Sequence, residues 1–391
     1  MAAHEELKGI KLRKEVVAIE KDVIAMRRHF HMYPELSLKE QKTAQYIAEK
    51  LKDFGLEVTT NVGGHGVVGV LRGGVKGGAR TIAIRADMDG LPIQEQVEAD
   101  YKSKNNGVMH ACGHDGHMAI LLGAVQVVAP WKKKIKGNIK FIFQPAEEGF
   151  GGAKSMIDDG VLTSAPKVDE IYGLHLWNYQ EVGTVGARIG PIMAASDRFN
   201  VEVRGTADAI VASAQLISGL HTIVPRNISP LDPAVLTVGT VNGGYASNVI
   251  ADKVDISGTV RTFESEVQDT IITRMCQLCK GLGTAYDVKA SLDYRKGYPA
   301  TKNTSKPHLD ILVKAAKAVV EEDRIIEPRQ VPGCFYFLGS AIDMKEIRPH
   351  HKSVFDIDER CLAIGVSIWV ELIEQELVLS AGSSLCTPCS E

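Results

Sequence analysis

Apolar positions over residues 14–31 recur at helical spacing and predict a first helix, with Pro34 separating it from the next element. Ser37-Leu-Lys-Glu40 has the spacing of a capping box, so a second helix is expected to open there. That helix would carry Ala44, Ile47, Ala48 and Leu51 on one face and stop at Gly55. Strands are predicted at 56–61, 66–72 and 81–86, the last apolar enough to be an inner strand. A helix is predicted over 115–128, with Met118, Leu121, Leu122, Val125 and Val128 as a core stripe, and strands at 138–144 and 169–176 continue the alternation.

From about residue 198 the pattern changes to strand 198–204, helix 207–224, strands 234–241 and 249–263, helix 264–282 and strand 286–294. This βαββαβ order predicts a ferredoxin-like layer, inserted as a second domain. A helix at 309–320, a strand at 333–338 and a helix at 359–377 then resume the earlier pattern. The expected fold is α/β: a mixed-sheet domain built from 1–190 and 299–378, interrupted by the insertion 191–298. Residues 379–391, rich in small polar residues, are expected to be a disordered tail.

A chain of 391 residues exceeds what one hydrophobic core usually supports, which agrees with two domains. The formal net charge of -3 leaves no electrostatic footprint for nucleic acid, and no apolar run has the length of a membrane span. A small-molecule or peptide substrate and a cytoplasmic location are expected. The seven cysteines are an odd number and suggest a reducing compartment. Cys276/Cys279 and Cys386/Cys389 are too far apart in sequence to form one zinc site.

The chemistry-bearing residues recur at element ends. Strand 81–86 runs into Asp87-Met-Asp89, strand 138–144 into Glu147-Glu148, and strand 169–176 delivers His175. Cys112 and His114 stand two residues apart just ahead of a helix. Thiolate, imidazole and carboxylate together suit a borderline divalent ion. Taken singly, each cluster could be a polar turn or a satisfied core histidine. Four clusters at the carboxyl side of one α/β sheet should converge. Neighbouring glutamates at a strand end are expected to diverge, one meeting a metal and the other a water.

Assembled, the motifs RADMDGLP, MHACGHDGH, QPAEEG, GLHLWN, SNVIADKVDISGTVRTF and HKSVFD resemble the M20 metallopeptidase clan, and within it the amidohydrolases that cleave N-acyl amino acids. The resemblance implies two divalent ions, of zinc, manganese, cobalt or nickel, held by Cys112, His114, Glu148, His175 and a late histidine. That histidine is His351, four residues before Phe355, with the adjacent His350 as the alternative. Glu147 would be the base, Asp89 would orient the site, and Asp87 stands where other clan members place a histidine ligand. Asn248 and Arg261 would hold the substrate's carboxylate from a lid through which a homodimer forms. Two family segments are missing: a G-G-H-x-A-x-P-H loop after the first lid strand, and a G-S-E-D-F helix between Gln330 and Val331. Their loss implies weakened turnover. A dipeptidase or carboxypeptidase, or a catalytically weak metal-binding dimer acting as a binding protein, are the rival expectations.

Overall fold

A computed structural model describes residues 7–75, 77, 80–326 and 335–378. It divides into two compact units, Met1–Gly190 with Asn303–Glu391, and Pro191–Lys302. The expected tail at 379–391 and the junction at 327–334, where the G-S-E-D-F segment is missing, lie outside the described residues.

The first unit opens with α1 (Lys14–Met32) and α2 (Gln41–Asp53), then β1 (Glu57–Val62), β2 (Gly66–Arg72) and β3 (Thr81–Asp87). Next come α3 (His114–Val128), β4 (Asn138–Gln144), α4 (Gly152–Asp158), β5 (Glu170–Glu181) and β6 (Val185–Gly186). At β7 (Gly190–Met193) the chain passes into the second unit, made of β8 (Ala195–Arg204), α5 (Ala209–Leu220), α6 (Ile223–Asn227), β9 (Ala234–Gly243), β10 (Lys253–Thr262), α7 (Ser265–Tyr286) and β11 (Lys289–Tyr298). It returns at β12 (Thr301–Asn303) to α8 (Lys306–Val319), β13 (Ile325–Ile326), β14 (Phe335–Ala341) and α9 (Arg360–Leu377).

The first unit's sheet has the order β1-β2-β4-β3-β5-β14-β6-β13 and is mixed. Strands β3, β4, β5 and β14 run parallel, while β1 and β2 run antiparallel at one edge. β3 lies between two parallel neighbours, as its apolar sequence requires. Nearly all of α3 is buried, a wider face than the single stripe expected. The parallel arrangement puts the residues after β3 and β4 on the same edge of the sheet. β5 has 12 residues, so His175 lies within the strand and not at its end. The extension is paired with β14 as far as Ala341 opposite Glu181.

The capping box expected at Ser37–Glu40 does not form. α2 has no cap from Glu40, and Glu35 Oε2 instead accepts from Thr43 N at 2.8 Å and Thr43 Oγ1 at 2.9 Å. Ser37 and Glu40 turn their side chains elsewhere.

Behind the sheet edge a charged network is sealed from water. Arg27, 0% exposed, donates from Nε to Asp115 Oδ2 at 2.8 Å and from Nη2 to Asp356 Oδ1 at 2.6 Å, while His31 bridges Asp115 and Glu95. Removing one partner from such a cluster leaves buried charge uncompensated. Arg27→Leu is therefore expected to lower unfolding free energy by about 3–5 kcal/mol, measured by urea denaturation.

The second unit is a four-stranded antiparallel sheet, order β11-β8-β10-β9. Alternation along β8 buries Phe199, Val201 and Val203 with Leu216 of α5 and Ile271 and Met275 of α7. The helix expected over 207–224 is two helices, because Pro225 lacks the N–H that a continuous helix needs. Residues 205–208 join β8 directly to α5, whose N-terminus is capped by Asp208 through Ile210 N and Val211 N. Among the described residues, no helix is long and apolar enough to cross a membrane.

Candidate active site

Gly113 makes the turn that starts the site. Its φ of 90° is open to glycine and strained for other residues, and it sits at the N-cap of α3 between Cys112 and His114. One ligand atom from each of Cys112, His114 and His175 lies within 4.8 Å of the others, and the same holds for Cys112, Glu148 and His351. Cys112 belongs to both groups. The sulfur is 3.5 Å from His175 Nε2, and His351 Nε2 is 3.3 Å from Glu148 Oε1.

The imidazoles are set by their other nitrogens. His175 Nδ1 donates to the Leu176 carbonyl at 2.6 Å and His114 Nδ1 to the Asp89 carbonyl at 2.9 Å, which leaves each Nε2 as a lone pair on the ligand side. His114 Nε2 is buried without a hydrogen-bond partner among the described residues. An orphaned buried acceptor beside a thiol is costly by itself, and a cation would satisfy it. The donor set of sulfur, nitrogen and oxygen fits zinc, manganese, cobalt or nickel.

Glu147 and Glu148 do not diverge as expected from a strand end. Both carboxylates lie within 4.8 Å of the His114 ligand atom, because a turn intervenes after β4 in which Ala146 has φ 51°. Burial pushes the Glu147 carboxyl up to about 7; Asp87 and Glu148 add to this and His114 opposes it. Asp89 is buried too, but its contacts with His114, Ser37 and the Glu148 amide outweigh the burial and hold it at about 2. Its Oδ1 and Oδ2 accept from Glu147 N and Glu148 N, each at 3.0 Å.

Asp87 and His117 form a pair that the motif spacings did not single out. His117 Nε2 accepts from Leu176 N at 2.9 Å, so Nδ1 carries the proton and donates to Asp87 Oδ1 at 2.6 Å. Both ring nitrogens are thus engaged. His117 lies one helical turn beyond His114, and that spacing in H-D-G-H was the available signal. Arg85 Nη1 holds the other Asp87 oxygen at 2.7 Å. His350, the alternative late histidine, is in neither ligand group: its ring centroid is 5.4 Å from that of His175, its Nε2 accepts from Asn178 N at 3.2 Å and its ring stacks on Trp177. Asn248 and Arg261 lie in the second unit, Asn248 in the exposed loop after β9 and Arg261 exposed on β10 opposite Ser196 and Val235.

The sequence profile of peptidase family M20/M25/M40 matches residues 83–375. The N-acetyl-L-cysteine deacetylase of Bacillus subtilis (strain 168) is 40% identical over 88% of this chain and 85% of its own length. The N-acyl-L-amino acid amidohydrolase of Geobacillus stearothermophilus is 42% identical over 73% of this chain and 79% of its own. Among solved structures, the YXEP protein of Bacillus subtilis, a dinuclear metal binding peptidase from the M20 family, superposes with a TM-score of 0.78 at 32% identity, covering 91% of this chain and 97% of that one.

Proposed function

The chain belongs to peptidase family M20/M25/M40 and is a hydrolase, and from that premise we propose that it cleaves the amide bond of N-acyl amino acids with two bound divalent ions. The observation that carries this reading is the sharing of Cys112 between two ligand groups, with Glu147 beside them. We assign Cys112, His114, Glu148, His175 and His351 as the ligands. The ions, when bound, polarise the amide carbonyl and acidify water.

The rest is the chain's own work. A Glu147 carboxylate takes a proton from the attacking water, whose oxygen adds to the carbonyl carbon. It then hands that proton to the amide nitrogen as the C–N bond breaks, releasing a carboxylic acid and a free amino acid. Burial raises the Glu147 carboxyl above its ordinary range before any ion is bound. Asp89 fixes the turn that carries it. Asn248 and Arg261, on a ferredoxin-like lid that also joins two copies into a homodimer, bind the amino acid's carboxylate. A thiolate ligand suits a reducing location such as the cytoplasm.

The direct connection of β8 to α5 through 205–208 favours a second reading, a metal-binding dimer with weak turnover, since one missing stabilising group can cost about 10²-fold or more. Elemental analysis together with an assay of N-acetyl, N-benzoyl and dipeptide substrates separates the two. Two metal equivalents with hydrolysis of the acyl amino acids is the expected result. Preferential cleavage of dipeptides would make the chain a peptidase, and metal without hydrolysis of any substrate would leave the binding protein.

A further inference from the structure

Ser37 and Glu40 are not spent on helix α2, and they meet the turn that carries Glu147 and Glu148. Glu40 Oε1 accepts from Ala146 N at 2.7 Å, and Ser37 Oγ donates to Asp89 Oδ2 at 2.6 Å. Asp89 takes the next two amides, of Glu147 and Glu148. Three consecutive amides of one turn are therefore each held by a carboxylate from a distant segment. We propose that Glu40 and Ser37 are positioning residues for the reaction, Glu40 acting on the turn directly and Ser37 acting through Asp89; this rests on the amidohydrolase reading above.

Glu40 is 0% exposed, and its second oxygen has no hydrogen-bond partner among the described residues. Burying a carboxylate this way is expensive, and helix capping does not account for it, because Glu35 already caps α2. Ala146 needs such a hold: its φ of 51° is costly for a residue with a Cβ and persists only where the surroundings over-determine it. The loop that delivers Ser37 and Glu40 is itself anchored, with Gly90 N donating to Glu35 O at 2.7 Å and a bridge between Leu36 and Gly90. One loop thus sits against both the Asp89 segment and the Glu147 turn. If the Ala146 amide loses its acceptor, the turn can relax, and the carboxylates of Glu147 and Glu148 move with it.

The test uses the full chain and Zn²⁺ alone, titrated in competition with a chromophoric chelator, so that no turnover is needed. Outer partners of metal ligands typically contribute about 10–100-fold in affinity or activity. Glu40→Ala is expected to weaken Zn²⁺ binding and lower kcat for an N-acetyl amino acid within that range, with KM unchanged. Glu40→Gln keeps an oxygen that can accept the Ala146 amide and should stay close to the parent. Ser37→Ala should show a smaller loss of the same kind. A Glu40→Ala protein with lowered Tm but parental Zn²⁺ affinity and kcat overturns the proposal, as does a Glu40→Gln protein as impaired as the alanine variant. If Glu40→Ala does not fold, Ser37→Ala decides, and unchanged Zn²⁺ affinity there also overturns it. A parent that binds Zn²⁺ yet hydrolyses nothing defeats the amidohydrolase reading, while the Zn²⁺ comparison still judges this one.

Discussion

Glu147→Gln should lower kcat for an N-acyl amino acid by about 10²–10⁴-fold while leaving the metal content unchanged. The amide is nearly the size of the carboxylate, so packing at the turn is kept. Its oxygen cannot take a proton from water and return it to the leaving nitrogen. Glu147 also lies with Glu148 beside the His114 ligand atom, while the neighbouring Asp89 is engaged by the amides of Glu147 and Glu148. Full activity in the glutamine variant would remove Glu147 from the mechanism, and loss of metal along with activity would recast it as a ligand.

The second large effect concerns Cys112. Because it belongs to both the His114/His175 group and the Glu148/His351 group, Cys112→Ala should lose both ions and reduce hydrolysis to background. His351→Ala should disturb one group only. The same contrast should appear in stability. A ligand that binds only the folded state adds about 2.7 kcal/mol at a hundredfold excess over its Kd. Added Zn²⁺ should therefore raise the Tm of the parent and leave that of Cys112→Ala nearly unmoved. Thermal unfolding at several Zn²⁺ concentrations reads this directly.

Much of this site is legible in the sequence because its parts sit at element boundaries. Asp87 ends β3 with Asp89 just beyond it, Glu147 and Glu148 come just after β4, and Cys112 just precedes α3, which His114 begins; parallel strands bring such ends to one edge. The features that are not legible depend on partners distant in sequence. Ser37-Leu-Lys-Glu40 has a local signature for capping, but the Ala146 amide takes the Glu40 carboxylate and the Asp89 carboxylate takes the Ser37 hydroxyl. His117 reads as a third member of a histidine cluster, and its pairing with Asp87 and the Leu176 amide emerges only when α3 is laid against β5. The pair of glutamates would splay if the strand continued, and the positive φ of Ala146 cannot be inferred from an alanine.

Absorption of the cobalt-substituted protein tests most directly whether one sulfur serves both ions. Thiolate bound to Co²⁺ gives an intense near-ultraviolet charge-transfer band that imidazole and carboxylate ligands do not. This band should grow as Co²⁺ is added up to two equivalents and be absent from Cys112→Ala. A parent protein that takes up Co²⁺ without the band, or a Cys112→Ala protein that keeps it, would contradict a centre built around that sulfur.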